Sequence, residues 1–266
     1  VWRKGRSGKV AATFALLLVV SFAVMNAMPS YTLPAALLQE TVLALVAFAA
    51  VGFAIPDALK RCTQTVQQRN TVRFTATALL LAGLVGGAIT LLAWLFASGG
   101  TMACFASTAL PSTADLMKNL LLLLGICLLT GLYEESFMRV LGIEAFERAL
   151  DTKRAILASA ALFALLHVGA LDVSAGQLVL LQTALKFGQA LLFGVIMGAL
   201  YVRTRRLWPC AFIHAGFDVL YLAPNVLLTG TMPETYASGA VGDTVLLAVS
   251  VLMLSGIVLK IRKEIA

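Results

Sequence analysis

Apolar residues recur in long runs from one end of the chain to the other, broken by short polar or Pro/Gly-containing stretches. A helix needs about 20 apolar residues to cross a bilayer, whereas barrel strands would leave shorter, alternating segments. Eight stretches meet the helical criterion: 10–27, 35–55, 76–97, 116–141, 154–171, 178–202, 207–229 and 242–260. The breaks carry turn chemistry at Pro29 and Pro34, Ser98-Gly99-Gly100, Pro111, Asp172 to Gly176, and Pro233 to Gly242. Pro224 and Asn225 interrupt the seventh stretch. The pattern predicts an all-α, polytopic membrane helical bundle of about eight transmembrane helices, forming a single integral membrane domain over 1–266.

Composition agrees. Of the 266 residues, 60% are hydrophobic and 12% charged, more apolar surface than a soluble domain of this length can hide. The basic residues then set an orientation. Arg3, Lys4, Arg6 and Lys9 precede the first stretch, and Lys60, Arg61, Arg69 and Arg73 lie between the second and third. Arg148, Lys153 and Arg154 separate the fourth from the fifth, Arg203, Arg205 and Arg206 follow the sixth, and Lys260, Arg262 and Lys263 close the chain. Eight alternating spans put all of these on one side, so the positive-inside rule predicts both termini in the cytoplasm. The net charge of +7 is then a matter of topology and anionic lipid headgroups, with no call for nucleic acid. The first stretch exceeds a signal-peptide core and reads as a retained anchor. The compact chain and its Val1 fit a bacterial inner membrane.

Cysteine usage adds little. Cys62 and Cys104 fall on opposite sides of the membrane in this topology, and Cys127 and Cys210 read as small packing residues within spans.

Charge inside the spans changes the picture. Glu134 and Glu135 follow the run Leu116 to Tyr133 in the string YEESFMR, and a carboxylate at bilayer depth costs roughly 2.5 to 3.5 kcal/mol. Glu135 and Arg139 are four apart and share a helical face, where an Arg neutralises a buried Glu. Glu134, rotated by about 100°, is free to point elsewhere. The plainer alternative puts both glutamates at the headgroup level as a solvated helix end.

The chain's two histidines lie in other spans. His167 ends the string FALLH, four residues after Phe163. If the fourth and fifth spans form a hairpin turning at Leu150-Asp151, Glu134 and His167 each lie 16 residues from the turn. At 1.5 Å per residue both sit about 24 Å from it, at one level. His214 and Asp218, in FIHAGFD, share a face of the seventh span, with His214 about two turns beyond the Arg206–Trp208 interface and so at a comparable depth. Polar groups converging at one level point to a shared site. Gln182, Lys186 and Gln189 recur at helical spacing on the sixth span, as a wall of that site or as an interhelical hydrogen-bonding seam. Lys186 lies too deep to snorkel comfortably, and its partner acid is not readable.

The order EExxxR, FxxxH, Hxxx(N/D) on successive apolar spans resembles the CPBP (Abi) family, which contains CAAX prenyl-protein endopeptidases and bacterial relatives linked to bacteriocin processing and self-immunity. The resemblance covers roughly Leu116 to Leu227 and marks 116–229 as the catalytic core. It implies an intramembrane endopeptidase acting on a membrane-associated polypeptide, prenylated or bacteriocin-like. By the same resemblance, Glu134 is the general base for a hydrolytic water and His167 its partner. Glu135 and Arg139 hold the helix and the site electrostatics, and His214 stabilises the oxyanion. Asp218 stands where many relatives have Asn. An ionised Asp218 would repel an oxyanion, so it is protonated, orients His214, or ligates a metal. Glu134, His167, His214 and Asp218 are also a zinc-type set, with a metal-bound water as nucleophile, although metal-free activation by Glu134 and His167 is the preferred expectation.

Two rivals come from other classes. A non-enzymatic immunity or membrane scaffold protein would use the same residues to hold the bundle, and would lose its fold when Glu134 is replaced. A proton-coupled carrier also uses intramembrane acids and histidines, but such carriers show inverted repeats, and no internal symmetry stands out.

Overall fold

A computed structural model describes residues 7–28, 30, 32–60, 69–97, 110–168, 176–233 and 237–265. The predicted breaks at Pro29, 98–100, 172–175 and 234–236 lie outside these residues, as do Cys62, Cys104, Arg3, Lys4, Arg6 and Arg61. The elements are α1 (Ser7–Ala27), α2 (Leu33–Ala54), α3 (Pro56–Lys60), α4 (Arg69–Ala97) and α5 (Thr113–Glu135). A π-helical segment, Ser136–Ile143, continues α5 into the single turn α6 (Glu144–Phe146). Then come α7 (Thr152–Val168), α8 (Gln177–Thr204), α9 (Leu207–Thr229) and α10 (Val241–Ile265). No strand occurs among the described residues.

Among the described residues, seven helical stretches are long and apolar enough to cross a membrane: Gly8–Ala27, Leu33–Ala54, Arg69–Ala93, Thr113–Phe146, Gln177–Thr204, Leu207–Thr229 and Val241–Ile261. The chain is a multi-pass, all-helical membrane protein. The stretch expected at 154–171 forms α7, a helix of 17 residues, about 26 Å long at 1.5 Å per residue and shorter than a typical span. Residues 169–171 of that stretch lie outside the described ones.

Apolar side chains face outward along these helices, as lipid-facing residues do; Leu16, Phe22, Leu45 and Leu252 are all exposed. Inside, small residues let backbones approach. Gly194 and Gly198 on α8 meet α7, and a methyl group at either would stand 2.9 Å from Ala160 or from the Ile156 side chain. On the other flank Gly87 of α4 meets α9, where a Cβ would lie 2.2 Å from the Leu220 carbonyl oxygen. That carbonyl is four residues before Pro224, which has no N–H to give it. The proline therefore does not break α9. The Leu220 carbonyl lacks its usual i+4 donor, and the glycine of α4 packs against it.

The π segment sits at the centre. All eight of its residues are buried, and it is packed by α1, α2, α5, α7 and α8. The Ser159 hydroxyl of α7 donates to the Met138 carbonyl at 2.7 Å, tying α7 to the wound-out backbone. Phe14 of α1 packs its ring on Phe137 and Phe146 from the opposite side.

Just beyond the spans, Arg205 closes the α8–α9 turn in a left-handed conformation (φ 51°). Its guanidinium reaches Glu147 through two bonds of 2.7 and 2.8 Å and Glu144 at 3.3 Å. Burial alone would lower the Arg205 proton affinity, but the hydrogen bonds and charge of Glu147, with Tyr201 and Glu144, outweigh it and hold the group above its ordinary value. The α5–α7 turn and the α8–α9 turn are thus clamped together at one end of the bundle.

Candidate active site

Six elements deliver the polar residues. The last turn of α5 presents Glu134 and Glu135, and the π segment turns Arg139 back toward them. Arg139 Nε lies 3.2 Å from Glu135 Oε2, close enough for an ion pair though off the line of a hydrogen bond. Both side chains are 0% exposed, which removes the alternative of a solvated helix end. Such a pair is held by further contacts. The Arg139 guanidinium donates to Ser159 Oγ at 3.4 Å and stacks 4.7 Å over the Phe163 ring.

His214 of α9 completes this buried layer. Its Nδ1 lies 2.8 Å from Glu135 Oε1, so Nδ1 carries the proton and the carboxylate accepts it. The close approach of α9 depends on Gly131, where a Cβ would sit 2.6 Å from the Ala211 carbonyl oxygen. The other nitrogen, Nε2, stands between two carboxylates, 3.5 Å from Glu134 Oε2 and 3.4 Å from Asp218 Oδ2. Phe193 of α8 meets the ring edge-on at 4.7 Å and fixes its plane.

His167 approaches Glu134 from α7. Its Nδ1 donates to the Phe163 carbonyl at 2.8 Å, the ring rests on the Phe163 ring at 4.2 Å, and Nε2 is left facing Glu134 Oε1 at 4.0 Å. Among the described residues, Glu134 is thus the one carboxylate within 4.0 Å of both imidazoles. The hairpin expected between the fourth and fifth spans is present, turning over Glu147–Asp151.

Glu134 and His167 also line a cavity of about 770 Å³ between α1, the α5–π junction and α7. Its walls are otherwise largely apolar, from Leu18, Phe22 and Met25 on one side to Leu165 and Leu166 on the other. His214 and Asp218 are not in its wall; they stand behind Glu134. The four residues expected to share a site therefore do so, but in two layers, an outer Glu134–His167 layer and an inner His214–Asp218 layer.

Two further groups belong to the cluster. Lys186 of α8 donates to Gln189 Oε1 at 3.1 Å, and its charge acts on Asp218, Glu134 and His167. This supplies the acids that the sequence left unnamed. The neighbouring glutamines have structural roles, Gln189 donating to the Tyr221 hydroxyl at 3.0 Å and Gln182 to the Ala240 carbonyl at 2.7 Å. Glu40, on α2, is the residue that motif reasoning passed over. Its carboxyl interacts with Thr130, Glu134, Asp218 and His214. The argument that singled out Glu134, a carboxylate within an apolar span, applies to Glu40 as well.

A metal is a separate question. Each histidine has Nδ1 tied to an acceptor and Nε2 turned toward Glu134, the orientation that metal-ligating imidazoles adopt. Among the described residues, however, no three His, Cys, Asp or Glu side chains are placed so as to hold an ion. The residues as arranged do not form a ligand set. Cys127 and Cys210 are buried free thiols, packed among the helices.

Comparison of the whole chain with curated proteins gives no match. Residues 116–220 match the family model described as type II CAAX prenyl endopeptidase Rce1-like. That interval holds EExxxR, FxxxH and HxxxD, and by this match it is a domain of the CAAX-type protease family, the group that the three motifs resemble.

Proposed function

We propose that the protein is an intramembrane endopeptidase that hydrolyses a peptide bond in a membrane-associated polypeptide. The observation that carries this reading is the position of Glu134, in reach of both imidazoles and open to an apolar cavity. A water between Glu134 Oε1 and His167 Nε2, which lie 4.0 Å apart, would be within hydrogen-bond reach of both. Glu134 takes a proton from this water as its oxygen bonds to the substrate carbonyl carbon. A second proton at Nε2, between Glu134 and Asp218, makes the His214 ring an imidazolium, and its positive charge, from behind Glu134, offsets the negative charge that develops on the carbonyl oxygen. The proton held by Glu134 then passes to the amide nitrogen, the C–N bond breaks, and a carboxylate and an amine leave. Asp218 would oppose the oxyanion were it alone; Lys186 offsets its charge. Glu135, Arg139 and Phe163 fix the two histidines in place.

The largely apolar cavity supports a hydrophobic or lipid-bearing substrate segment approaching between α1 and α7. In our reading the short α7 also crosses the bilayer as an eighth pass, so both termini face the cytoplasm of a bacterial inner membrane, and the arginine clamp at Arg205 lies on that side, among the basic loops.

The test is cleavage of a panel of hydrophobic and lipidated peptides by purified Glu134→Ala and His167→Ala proteins in bilayer discs. Loss of turnover in both with unchanged thermal unfolding is the expected result. Turnover at the wild-type rate in both would overturn the assignment. Loss of folding on replacing Glu134, with no cleavage by the parent protein, would favour the scaffold or immunity reading.

A further inference from the structure

We infer that α1 is the specificity-determining wall of the cavity: Leu18, Phe22 and Met25 select the apolar group that the substrate carries beside the bond to be cut. The inference rests on the peptidase reading and deepens it.

Helical periodicity turns one face of α1 to the cavity. Leu18, Ser21, Phe22 and Met25 line it at positions i, i+3, i+4 and i+7, the spacing of a single stripe. Glu134 and His167 line the same cavity from α5 and α7. A substrate with its scissile bond at Glu134 therefore lays the neighbouring residues against α1. The two reacting groups belong to the interval that matches the family, 116–220, whereas α1 lies outside it. Chemistry and selection thus come from different parts of the chain.

The cavity has a closed end and an open side. At one end Phe14, one turn before Leu18, packs its ring 5.0 Å from Phe137 and 5.7 Å from Phe146 and fills the space between α1 and the π segment. Along the side, α1 packs on α2, the π segment and α6 and makes no extended contact with α7. Val19, Phe22 and Met25 on one rim and Leu165 and Leu166 on the other are exposed as well as cavity-lining. The polar side chains of the α1 wall offer a substrate little. Ser21 is buried, and Asn26 Nδ2 donates to the Phe22 carbonyl at 2.7 Å. Such a wall favours hydrocarbon and leaves a polar group without partners.

Length sets how much of a substrate this wall can read. From Leu18 to Met25 the stripe spans about 10 Å of helix. An extended peptide covers that distance in about three residues, and its side chains alternate, so the stripe meets one or two of them. Two sources supply such a group: an apolar side chain, or a hydrocarbon chain attached to the peptide. Both meet the same wall, and the test separates them.

The experiment uses the full chain in bilayer discs and a hydrophobic host peptide in which one residue at a time is alanine, phenylalanine or S-decylcysteine. Leu18→Trp narrows the stripe and should lower kcat/KM for the bulky peptides relative to the alanine ones by about tenfold. Phe22→Ala, at an exposed rim position, widens it and should shift the same ratio the other way. Leu16→Trp, on the opposite, exposed side of α1 and outside the cavity, should keep the ratio of the parent. A shift for S-decylcysteine alone assigns the wall to an attached chain, and a shift for phenylalanine as well assigns it to apolar bulk in general; either supports the inference. Unchanged ratios in Leu18→Trp and Phe22→Ala, with the peptides still cleaved, would overturn it and leave the peptidase reading standing.

Binding is read apart from cleavage. A host peptide carrying photo-leucine is irradiated with the parent protein, with and without excess unlabelled peptide. Adducts on Leu18, Phe22 or Met25 that the competitor removes are expected, with none that it removes on Leu16. Such adducts without any cleavage would place a peptide against α1 and sink the peptidase reading alone. Absence of competed adducts on the α1 stripe would overturn the inference.

Discussion

Glu135 Oε1 accepts from His214 Nδ1 at 2.8 Å, while Oε2 of the same carboxylate faces Arg139 Nε at 3.2 Å. One buried side chain therefore sets both the tautomer of the site's central imidazole and the charge balance of the helix that carries Glu134. Its neighbour Glu134 faces the cavity, so two adjacent residues of one type do separate work because about 100° of helical rotation separates them.

Removing one half of that buried pair exposes the other. Glu135→Ala should destabilise the protein by about 3–5 kcal/mol, because the Arg139 charge is left unmatched in an apolar interior. Replacing both, as Glu135→Leu with Arg139→Met, should cost clearly less than Glu135→Ala. Reversible unfolding in detergent with added denaturant measures the difference. A double variant as unstable as the single one would show that the charges are not paired.

The Lys186–Asp218 relationship predicts non-additive kinetics. Lys186→Met leaves Asp218 negative beside the developing oxyanion and should lower kcat/KM by about 10- to 100-fold, a transition-state loss of roughly 1.4–2.7 kcal/mol. Asp218→Asn in the Lys186→Met background should restore most of it, since the unmatched charge is gone. Equal losses from Lys186→Met in both backgrounds would mean that the two charges do not act on each other.

How much of this was legible in the chain follows from what each feature depends on. The depth match of Glu134 and His167 came from counting residues about a hairpin, and it held because the turn over Glu147–Asp151 starts both arms at one level. Glu135–Arg139 came from i, i+4 spacing and survived although Arg139 lies in a π segment, which spacing rules for an α-helix do not foresee. The π segment itself is held by tertiary contacts, Ser159 on the Met138 carbonyl and Phe14 on Phe137, that local sequence does not encode. Glu40 was missed for a related reason. It stands alone in its span, and only the packing of α2 on α5 brings it to the site. Pro224 suggests a break because a proline has no N–H, yet α9 runs through it, with Gly87 of α4 packed against the Leu220 carbonyl.

Helix contact through small residues makes a mechanical prediction. Gly194→Val would set branched carbons against Ala160, already 2.9 Å from a simple Cβ, and push α7 away from α8. Overpacking of this kind costs about 1–3 kcal/mol. Since α7 carries His167, turnover should fall at temperatures where the protein is still folded. Gly256→Val is the control, as nothing lies within 4 Å of a Cβ there. Equal activity of the two variants would separate the α7–α8 contact from the site.

The Arg205 clamp has a pH signature whose sign is fixed. A base held above its ordinary proton affinity in the folded state contributes stability that is complete below its unfolded value and lost only on rising through the folded one. For a guanidinium both lie above the range in which proteins are handled. Raising the pH to about 10 should therefore leave the contribution intact, whereas Arg205→Met should remove about 1–3 kcal/mol at every pH, as loss of charge-assisted hydrogen bonds does. Thermal unfolding of parent and variant across neutral to alkaline pH measures this as a constant gap. A gap that closes as pH rises would mean that another base, not Arg205, holds the two turns together.

Chelation tests the assignment of water activation to side chains. Glu134 and His167 reach a bridging position by themselves, with Nδ1 of His167 committed to the Phe163 carbonyl and Nε2 free to accept. If these groups suffice, prolonged dialysis against a strong chelator should leave kcat unchanged within about twofold, a difference of some 0.4 kcal/mol in barrier. Elemental analysis of the dialysed, active protein should show far less than one zinc per chain. A resident zinc would behave differently, since activity would then track metal content. Loss of turnover on dialysis with recovery on adding zinc would overturn the assignment of water activation to Glu134 and His167 alone.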